Sequence, residues 1–423
     1  MLASSNEPIG NWHSGCATEV SYRMKPSILF IVPAQYDELK TKGVESMIYE
    51  RDEGGFFGKV ITVHPFSNKT RSIVLNETHE IHEIGFDLIP GANRFRALKY
   101  LQAPLHLFRI ISTTVRLARK HKVSLIRAND PYWMGLFAWV TAKLQGSPYC
   151  VSIHADYDKR MALDDGISIV KVFGSYALAR HLERFVFRGA AMVLPIRESL
   201  ATQAVAHGAR SDSIRVIPHG IDLEPFTVPP RNDIRSRFFL GANTRIISFV
   251  GRISRDNYVS DMVEAVSRLA SRRSDFVFVM AGAGKEEVHI KQIVMMNRML
   301  AGRVVLAGFQ PREVCHDLRR ASAVSLCLMG GFSLIEACAA ASPVVSYDVE
   351  WHGELVKNGE TGFLVREGDI EGVVTALDWL LDHPGEGENM GQKAKALAFE
   401  RHSLANASAT KVRWYTQLLV KAA

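Results

Sequence analysis

The sequence predicts an α/β protein built from two doubly wound, Rossmann-like parallel-sheet domains that face a central cleft. Three observations carry that expectation. Short β-branched runs alternate with longer helical patterns, as in sheets covered by helices on both faces. The alternation falls into two series, separated by a proline- and glycine-rich junction, "RVIPHGIDLEPFTVPPRND". At 423 residues the chain also exceeds one core, given roughly 100–200 residues per domain.

The elements follow in order. Residues 1–24 form a flexible lead-in, because the first convincing strand starts after Lys25. The strands of the first domain (25–217) are "SILFIVP" (27–33), "KVITVHPF" (59–66), "SLIRAND" (124–130), "YCVSIHAD" (149–156) and "AAMVLPI" (190–196). Those of the second (218–403) are "RIISFVG" (245–251), "FVFVMAG" (276–282), "RVVLAG" (303–308), "AVSLCLM" (323–329) and "PVVSYD" (343–348). A last helix covers about 404–420 within a closing segment, 404–423.

Composition excludes several classes. Apolar residues at 47% and charged residues at 22% fit a globular enzyme, not a disordered or fibrous chain. Five scattered cysteines without a C-x-x-C pair argue against a disulfide framework and a structural zinc site, and favour a reducing cytosol. The opening lacks a signal-peptide layout, and "WMGLFAWVTA" is too short to span a bilayer. A cytoplasmic protein is expected, peripheral at most to the inner face of the cell membrane.

The net charge of +7 is unevenly placed. From Leu88 to Asn129 there is no Asp or Glu, but nine basic residues: Arg94, Arg96, Lys99, Arg109, Arg116, Arg119, Lys120, Lys122 and Arg127. Leu101, Leu105, Phe108, Ile111 and Val115 recur there at helical spacing, so the charges border an apolar stripe. A solvated helix over the core is the plain reading. The functional one is contact of the basic 94–122 region with an anionic membrane or a phosphate-bearing acceptor, at ~1 kcal/mol per basic residue near an anionic leaflet. Nucleic acid is not expected, for want of aromatic–basic interleaving and of a reader motif.

Ligands of doubly wound sheets bind beyond the carboxyl ends of the strands. Gly251 and Arg252 directly follow one strand, and Gly282, Gly284 and Lys285 follow the next. Glycine lets a backbone approach a ligand closely, a helix N-terminus favours phosphate, and Arg offers a fork for phosphate oxygens. Each glycine could equally serve a tight turn. In "LCLMGGFSLIEACAAASPVV" (326–345) a single carboxylate, Glu336, interrupts an apolar run, which is costly unless a partner holds it. The sequence places it in the first turn of a helix starting near Ser333, where it could accept two ribose hydroxyls or simply benefit from the helix dipole.

Together "VSIHADYDKR", "RVIPHGIDLEPF", "ISFVGRISRDNYVSDMVEAV", "FVFVMAGAGKEE", "VVLAGFQPREVCHDLRRAS" and "GGFSLIEACAAASPVVSYDVEWHGELVKNGETGFLV" resemble the retaining nucleotide-sugar glycosyltransferases of family 4. The likeness is strong from about Arg215 to Val365 and thinner before it. It implies the GT-B architecture, with a variable acceptor on the first domain, the common donor on the second, and the last helix packed back on the first. Residue by residue, it implies that Glu336 hydrogen-bonds the donor ribose and Arg252 grips the diphosphate, with Gly251 and Lys285 beside it. His154 stands near the sugar, Gly331, Phe332 and Ser333 approach sugar and phosphate, and Gly308 and Phe309 contact the base.

Three features depart from the family pattern. The first of its two glutamates is Leu328 or Gly330 here, depending on the alignment. Its lysine after the Gly-Arg pair is Asn257, leaving Arg255 or Lys285 as substitutes. Its glycine-rich turn after the first strand is not evident, since "GGFFG" (54–58) comes late.

The implied reaction moves a sugar from a UDP- or GDP-sugar to a hydroxyl of a glycan or lipid-linked acceptor, with retention, in cell-surface polysaccharide synthesis. It requires no metal and no cofactor beyond the co-substrate. Asp156 and Asp158 in "HADYD" offer the rival metal-dependent chemistry, or cap a helix or pair with Lys159 or Arg160. A nucleotide-sugar epimerase and a non-catalytic sugar-nucleotide-binding protein are the alternatives. A nicotinamide dehydrogenase is disfavoured without a strand-linked G-x-G-x-x-G.

Overall fold

Thirteen strands among the described residues form two sheets. The structure is a computed structural model, and it describes residues 25–41, 45–85, 96–158 and 175–422. The expectations for residues 1–24, for Arg94 and for pairing with Lys159 or Arg160 lie outside them.

In the first sheet β1 (Ser27–Ile31), β2 (Lys59–Ser67), β3 (Arg71–Val74), β4 (His79–Gly85), β5 (Leu125–Ala128), β6 (Tyr149–Ile153) and β7 (Met192–Pro195) run in the order β3-β4-β2-β1-β5-β6-β7. Only β3 is antiparallel. The second sheet holds β8 (Arg245–Val250), β9 (Phe276–Ala281), β10 (Val304–Gly308), β11 (Val324–Leu326), β12 (Val344–Tyr347) and β13 (Gly362–Val365), in the order β10-β9-β8-β11-β12-β13 and all parallel. Helices cover both sheets. Leu29, Ile61 and Val151 pack with Phe137 in one core, and Ile247, Phe278, Val263 and Leu377 in the other.

Strands β3, β4 and β13 were not anticipated. In "HEIHEIG" glutamates interrupt the apolar residues, and the fold satisfies them with Arg71 on Glu83 at 2.5 Å and His121 on Glu80 at 2.7 Å. Only pairings distant in sequence make such a strand affordable. The four residues of β13 are too few for a period to show.

The helix Arg96–Lys120 corrects the expected apolar stripe. Its buried face carries Gln102, His106, Ile110, Thr114 and Leu117, whereas Leu105 is 58% and Phe108 70% exposed. Arg127 does not share that surface, because it lies in β5 with its side chain turned toward Tyr415.

The chain crosses between domains twice, at 218–224 and 402–404, and the crossings are zipped together. Ile221 N–H donates to the His402 carbonyl (2.8 Å) and Leu404 N–H to the Ile221 carbonyl (3.2 Å). Gly220 is needed there, since a Cβ would stand 2.8 Å from that of Ala407. The last helix, Leu404–Ala422, then buries Tyr415 and Leu419 against Ile28 and Phe57 of the first domain. Each sheet reverses its winding direction once, between β1 and β5 and between β8 and β11. The crevices that open there are where such sheets take ligands.

Candidate active site

The wall formed by the second domain starts at the end of β8. Arg252 is exposed and has no carboxylate partner among the described residues, while its carbonyl accepts from Asn257 Nδ2 at 2.6 Å. The residue standing where the family has lysine thus braces the loop. Of the two candidate replacements, Arg255 lies 3.4 Å from Glu286, and Lys285 is exposed and unpaired among the described residues. Gly282 and Gly284 have a packing reason to be glycine: a Cβ would meet the Gly251 carbonyl oxygen at 1.8 Å and that of Ile253 at 2.1 Å. They press the loop after β9 onto the loop after β8 and so fix Arg252 and Lys285 in neighbouring loops. Gly308, with φ +64°, ends β10, and the Phe309 ring after it is 83% exposed.

Glu336 sits differently from the expectation. The helix spans Phe332–Ala339, so Glu336 is in its second turn, where the N-terminal dipole no longer explains it. Its partner is Arg319, whose Nη2 lies 2.9 Å from Oε2, with Arg312 at 3.5 Å. Arg319 Nη2 also donates to Ser333 Oγ (3.1 Å), and that hydroxyl donates to the Val250 carbonyl just before Gly251. One guanidinium, only 4% exposed, therefore ties the carboxylate, the loop before its helix and the end of β8 together. Its Nη1 is buried and unsatisfied. Sequence reasoning missed Arg319, although Arg312, His316 and Arg319 recur at i, i+4 and i+7 on the helix Arg312–Ala321, and that spacing was a usable signal.

On the opposite wall, His154 follows β6. Its ring stacks on His219 of the hinge (centroids 5.6 Å apart, 16° between planes), and His219 meets the edge of Phe332 at 5.6 Å. The three rings cross the cleft. His154, His219, Gly331, Phe332, Trp351 and His402 line a cavity of about 320 Å³ between the domains. Burial, then the charges of His219, Arg127 and Arg51, push His154 down to about 3, and its Nε2 has no hydrogen-bond partner among the described residues. His154 is thus a neutral imidazole at ordinary pH.

The structure brings His154, Gly331 and Phe332 around one cavity, and joins Ser333 and Glu336 through Arg319, with Ser333 reaching the Val250 carbonyl before Gly251. Lys285, Gly308 and Phe309 stand at the neighbouring ends of β9 and β10. Asp156 accepts from Gln203 (2.9 Å), and Asp158 is held by Arg180 (2.5 Å) and His207 (3.1 Å). Protein partners thus occupy both carboxylates.

Comparison with known proteins agrees with this layout. The model of glycosyl transferases group 1 matches residues 230–397, and that of the glycosyl transferase 4-like domain matches residues 76–220. The chain is 28% identical over 285 residues to a 2-deoxystreptamine glucosyltransferase of Streptomyces kanamyceticus, covering 65% of this chain and 72% of the relative. It is also 28% identical, over 270 residues, to a D-inositol 3-phosphate glycosyltransferase of Nocardiopsis dassonvillei, covering 60% and 61%. The crystal structure of Anabaena HepE in complex with UDP superposes with a TM-score of 0.65 at 16% identity, over 93% of this chain and all of that one.

Two Rossmann-like sheets with a cleft at their strand ends define a GT-B glycosyltransferase. The chain belongs to the family 4 type of these enzymes.

Proposed function

We propose that the enzyme transfers the sugar of a nucleotide-diphosphate sugar, a UDP- or GDP-sugar, to an acceptor hydroxyl with retention at the anomeric carbon. The observation that carries this reading is the Arg319 clamp, which holds Glu336 at the switch point of the second sheet beside two unpaired cations, Arg252 and Lys285. The carboxylate keeps lone pairs for two ribose hydroxyls, while the cations face where a diphosphate would lie.

In the reaction the bond from the anomeric carbon to the diphosphate oxygen breaks, and its electron pair leaves with the diphosphate. The acceptor oxygen bonds to that carbon from the same face and passes its proton to the departing oxygen. Arg252 and Lys285 stabilise the charge that develops. Neutral His154 adds no positive charge beside a carbon that is itself becoming positive, and its unpartnered Nε2 can orient the sugar. Closure about the zipped hinge excludes water and limits hydrolysis of the donor. No resident metal or cofactor is assigned a role.

The proposed acceptor is a glycan or a lipid-linked carrier of a cell-surface polysaccharide, reached at an anionic membrane. Exposed Leu105 and Phe108 support that part, because Arg116 and Arg119 recur on the same helix face. Among the described residues no helix is long and apolar enough to cross a membrane.

The test is thermal stabilisation by UDP, GDP, ADP and NAD, without metal and then with Mn²⁺. A ligand at 100 times its dissociation constant adds ~2.7 kcal/mol. Stabilisation by UDP or GDP without metal, lost in Glu336→Ala, is expected. Stabilisation by NAD alone, or by nothing, overturns the donor reading. For the membrane part, Phe108→Asp combined with Arg116→Glu is expected to abolish binding to anionic vesicles at low salt, and unchanged binding refutes it.

A further inference from the structure

A second cavity, of about 590 Å³, opens on the first-domain side of the cleft and shares His154 and His219 with the site above. Its charges come from three distant segments: Glu50, Arg51, Asp52 and Glu53 before β2, Arg127 in β5, and Lys411 in the last helix. Their pairing is incomplete. Glu53, held at φ +52°, is taken by Lys411 at 2.7 Å and Ser408 at 3.1 Å. Arg127 spends its contacts on neutral hydroxyls, Ser152 (2.9 Å) and Tyr415 (2.6 Å), with Glu53 no nearer than 4.0 Å.

Arg51 has less. It donates to Thr62 Oγ1 at 2.9 Å, and no carboxylate pairs with it among the described residues. Asp52 turns back to cap the Gly54 N–H at 3.1 Å, and Glu50 makes no ion pair with it. Both guanidiniums instead stand over the ring of Phe30, Arg51 at 5.2 Å and Arg127 at 5.5 Å from its centroid. Burial, then the like charge of Arg127, brings Arg51 down to about 10. Two guanidiniums converging on one aromatic ring, with Glu53 reaching only Arg127 and only at 4.0 Å, lose hydration and repel each other, an arrangement that a bound anion would relieve. Arg presents five donors in a planar fork, and Arg51 uses few of them.

We propose that this cavity selects an acceptor that carries an anionic group, a phosphate or a carboxylate, held between Arg51 and Arg127 with the acceptor hydroxyl turned toward His154. The inference rests on the donor occupying the second-domain wall. It also gives a role to the glycine-rich "GGFFG" segment: Gly54 lines the cavity beside the left-handed Glu53, so the turn delivers the acceptor pocket although it comes late after the first strand.

The experiment uses the full chain and follows melting at constant ionic strength with inorganic phosphate, glucose 6-phosphate, malate and glucose. Any of the three anions, but not glucose, is expected to stabilise the wild type. Arg51→Met and Arg127→Gln are expected to lose that response while keeping the shift given by UDP or GDP. Arg51→Met is also expected to melt at or above the wild-type temperature, because it removes an uncompensated charge, whereas a merely structural arginine would leave it less stable.

The source of the anion is resolved with vesicles of phosphatidylinositol against phosphatidylcholine. Binding to the former that phosphate competes away and Arg51→Met abolishes assigns a lipid headgroup. A response to glucose 6-phosphate or malate alone assigns a soluble acceptor. Wild type indifferent to every anion and to phosphatidylinositol vesicles, or an anion response unchanged in both variants, overturns the proposal. Loss of the UDP and GDP response in the wild type refutes the donor reading instead, and is recognised separately.

Discussion

The two walls of the cleft handle charge in opposite ways. On the second-domain wall the cations, Arg252 and Lys285, are exposed, carried by consecutive strand-end loops, and unpaired among the described residues. The carboxylate is fixed by one buried arginine, Arg319. On the first-domain wall Arg51, Arg127, Glu53 and Lys411 are drawn inward from segments far apart in sequence, among histidines that burial keeps neutral. Under the proposed assignment, a wall facing one kind of leaving group can be written in short local motifs, and a wall facing a variable acceptor is assembled by packing.

The largest effect should come from breaking the exposed side. Arg252→Ala is expected to lower kcat by about 10²–10³, the usual cost of removing one preorganised group from developing charge. Melting of the free enzyme should hardly move, because no ion pair is lost. An activity loss that merely tracks a fall in melting temperature would erase the contrast between the walls.

Next is the clamp. Arg319→Ala leaves Glu336 without its nearest partner and is expected to cost about 3 kcal/mol, at the low end for a broken buried pair because the carboxylate is 15% exposed. Glu336→Gln leaves the buried guanidinium without its counter-charge and should lose stability as well as nucleotide affinity. A wild-type denaturation midpoint for either variant would refute the clamp.

The first-domain side answers to pH. His64 and His219 are lowered to about 4 and His154 to about 3, in each case chiefly by burial. An unfolded chain, with histidines near 6.5, binds more protons between those limits. The stability they contribute is complete above about pH 6.5 and falls as pH drops toward 4 and 3, by about 1.4 kcal/mol per pH unit for each histidine in the window. His154→Asn should remove one proton's share of that slope in denaturation followed from pH 7 to 4.5.

The smallest effect separates two neighbouring cations. Lys285→Ala is expected to weaken UDP or GDP binding about tenfold, as loss of a contact to a charged group does. Arg255→Ala, at an exposed arginine already engaged with half-buried Glu286, should change it about twofold or less. The reverse order in calorimetric titration would place the substitute phosphate ligand at Arg255.

How much of this was visible beforehand depended on how local the cause was. Gly251-Arg252 adjoin the end of β8 and Gly331-Phe332-Ser333 follow β11 by a short loop, so a strand period and a following glycine locate them. The partner of Glu336 lay 17 positions upstream on another helix, and only the i, i+4, i+7 row of Arg312, His316 and Arg319 hinted at it. The stripe from Leu105 to Phe108 was apolar enough for core and is exposed, because His106, Ile110 and Thr114 occupy the buried face instead.

By itself the sequence determined the two doubly wound domains, the junction between them and the strand-end loops of the second-domain wall. Hydrophobic periods and glycine placement act over a few residues and can be followed along the chain. Only the tertiary structure decided which charges remain unpaired. Arg51 meets Arg127 over Phe30 because β1 pairs with both β2 and β5, and Lys411 neutralises Glu53 because the last helix packs onto the first sheet and joins groups 358 positions apart. Electrostatic energy depends on distance and burial, and neither is defined until the chain has folded.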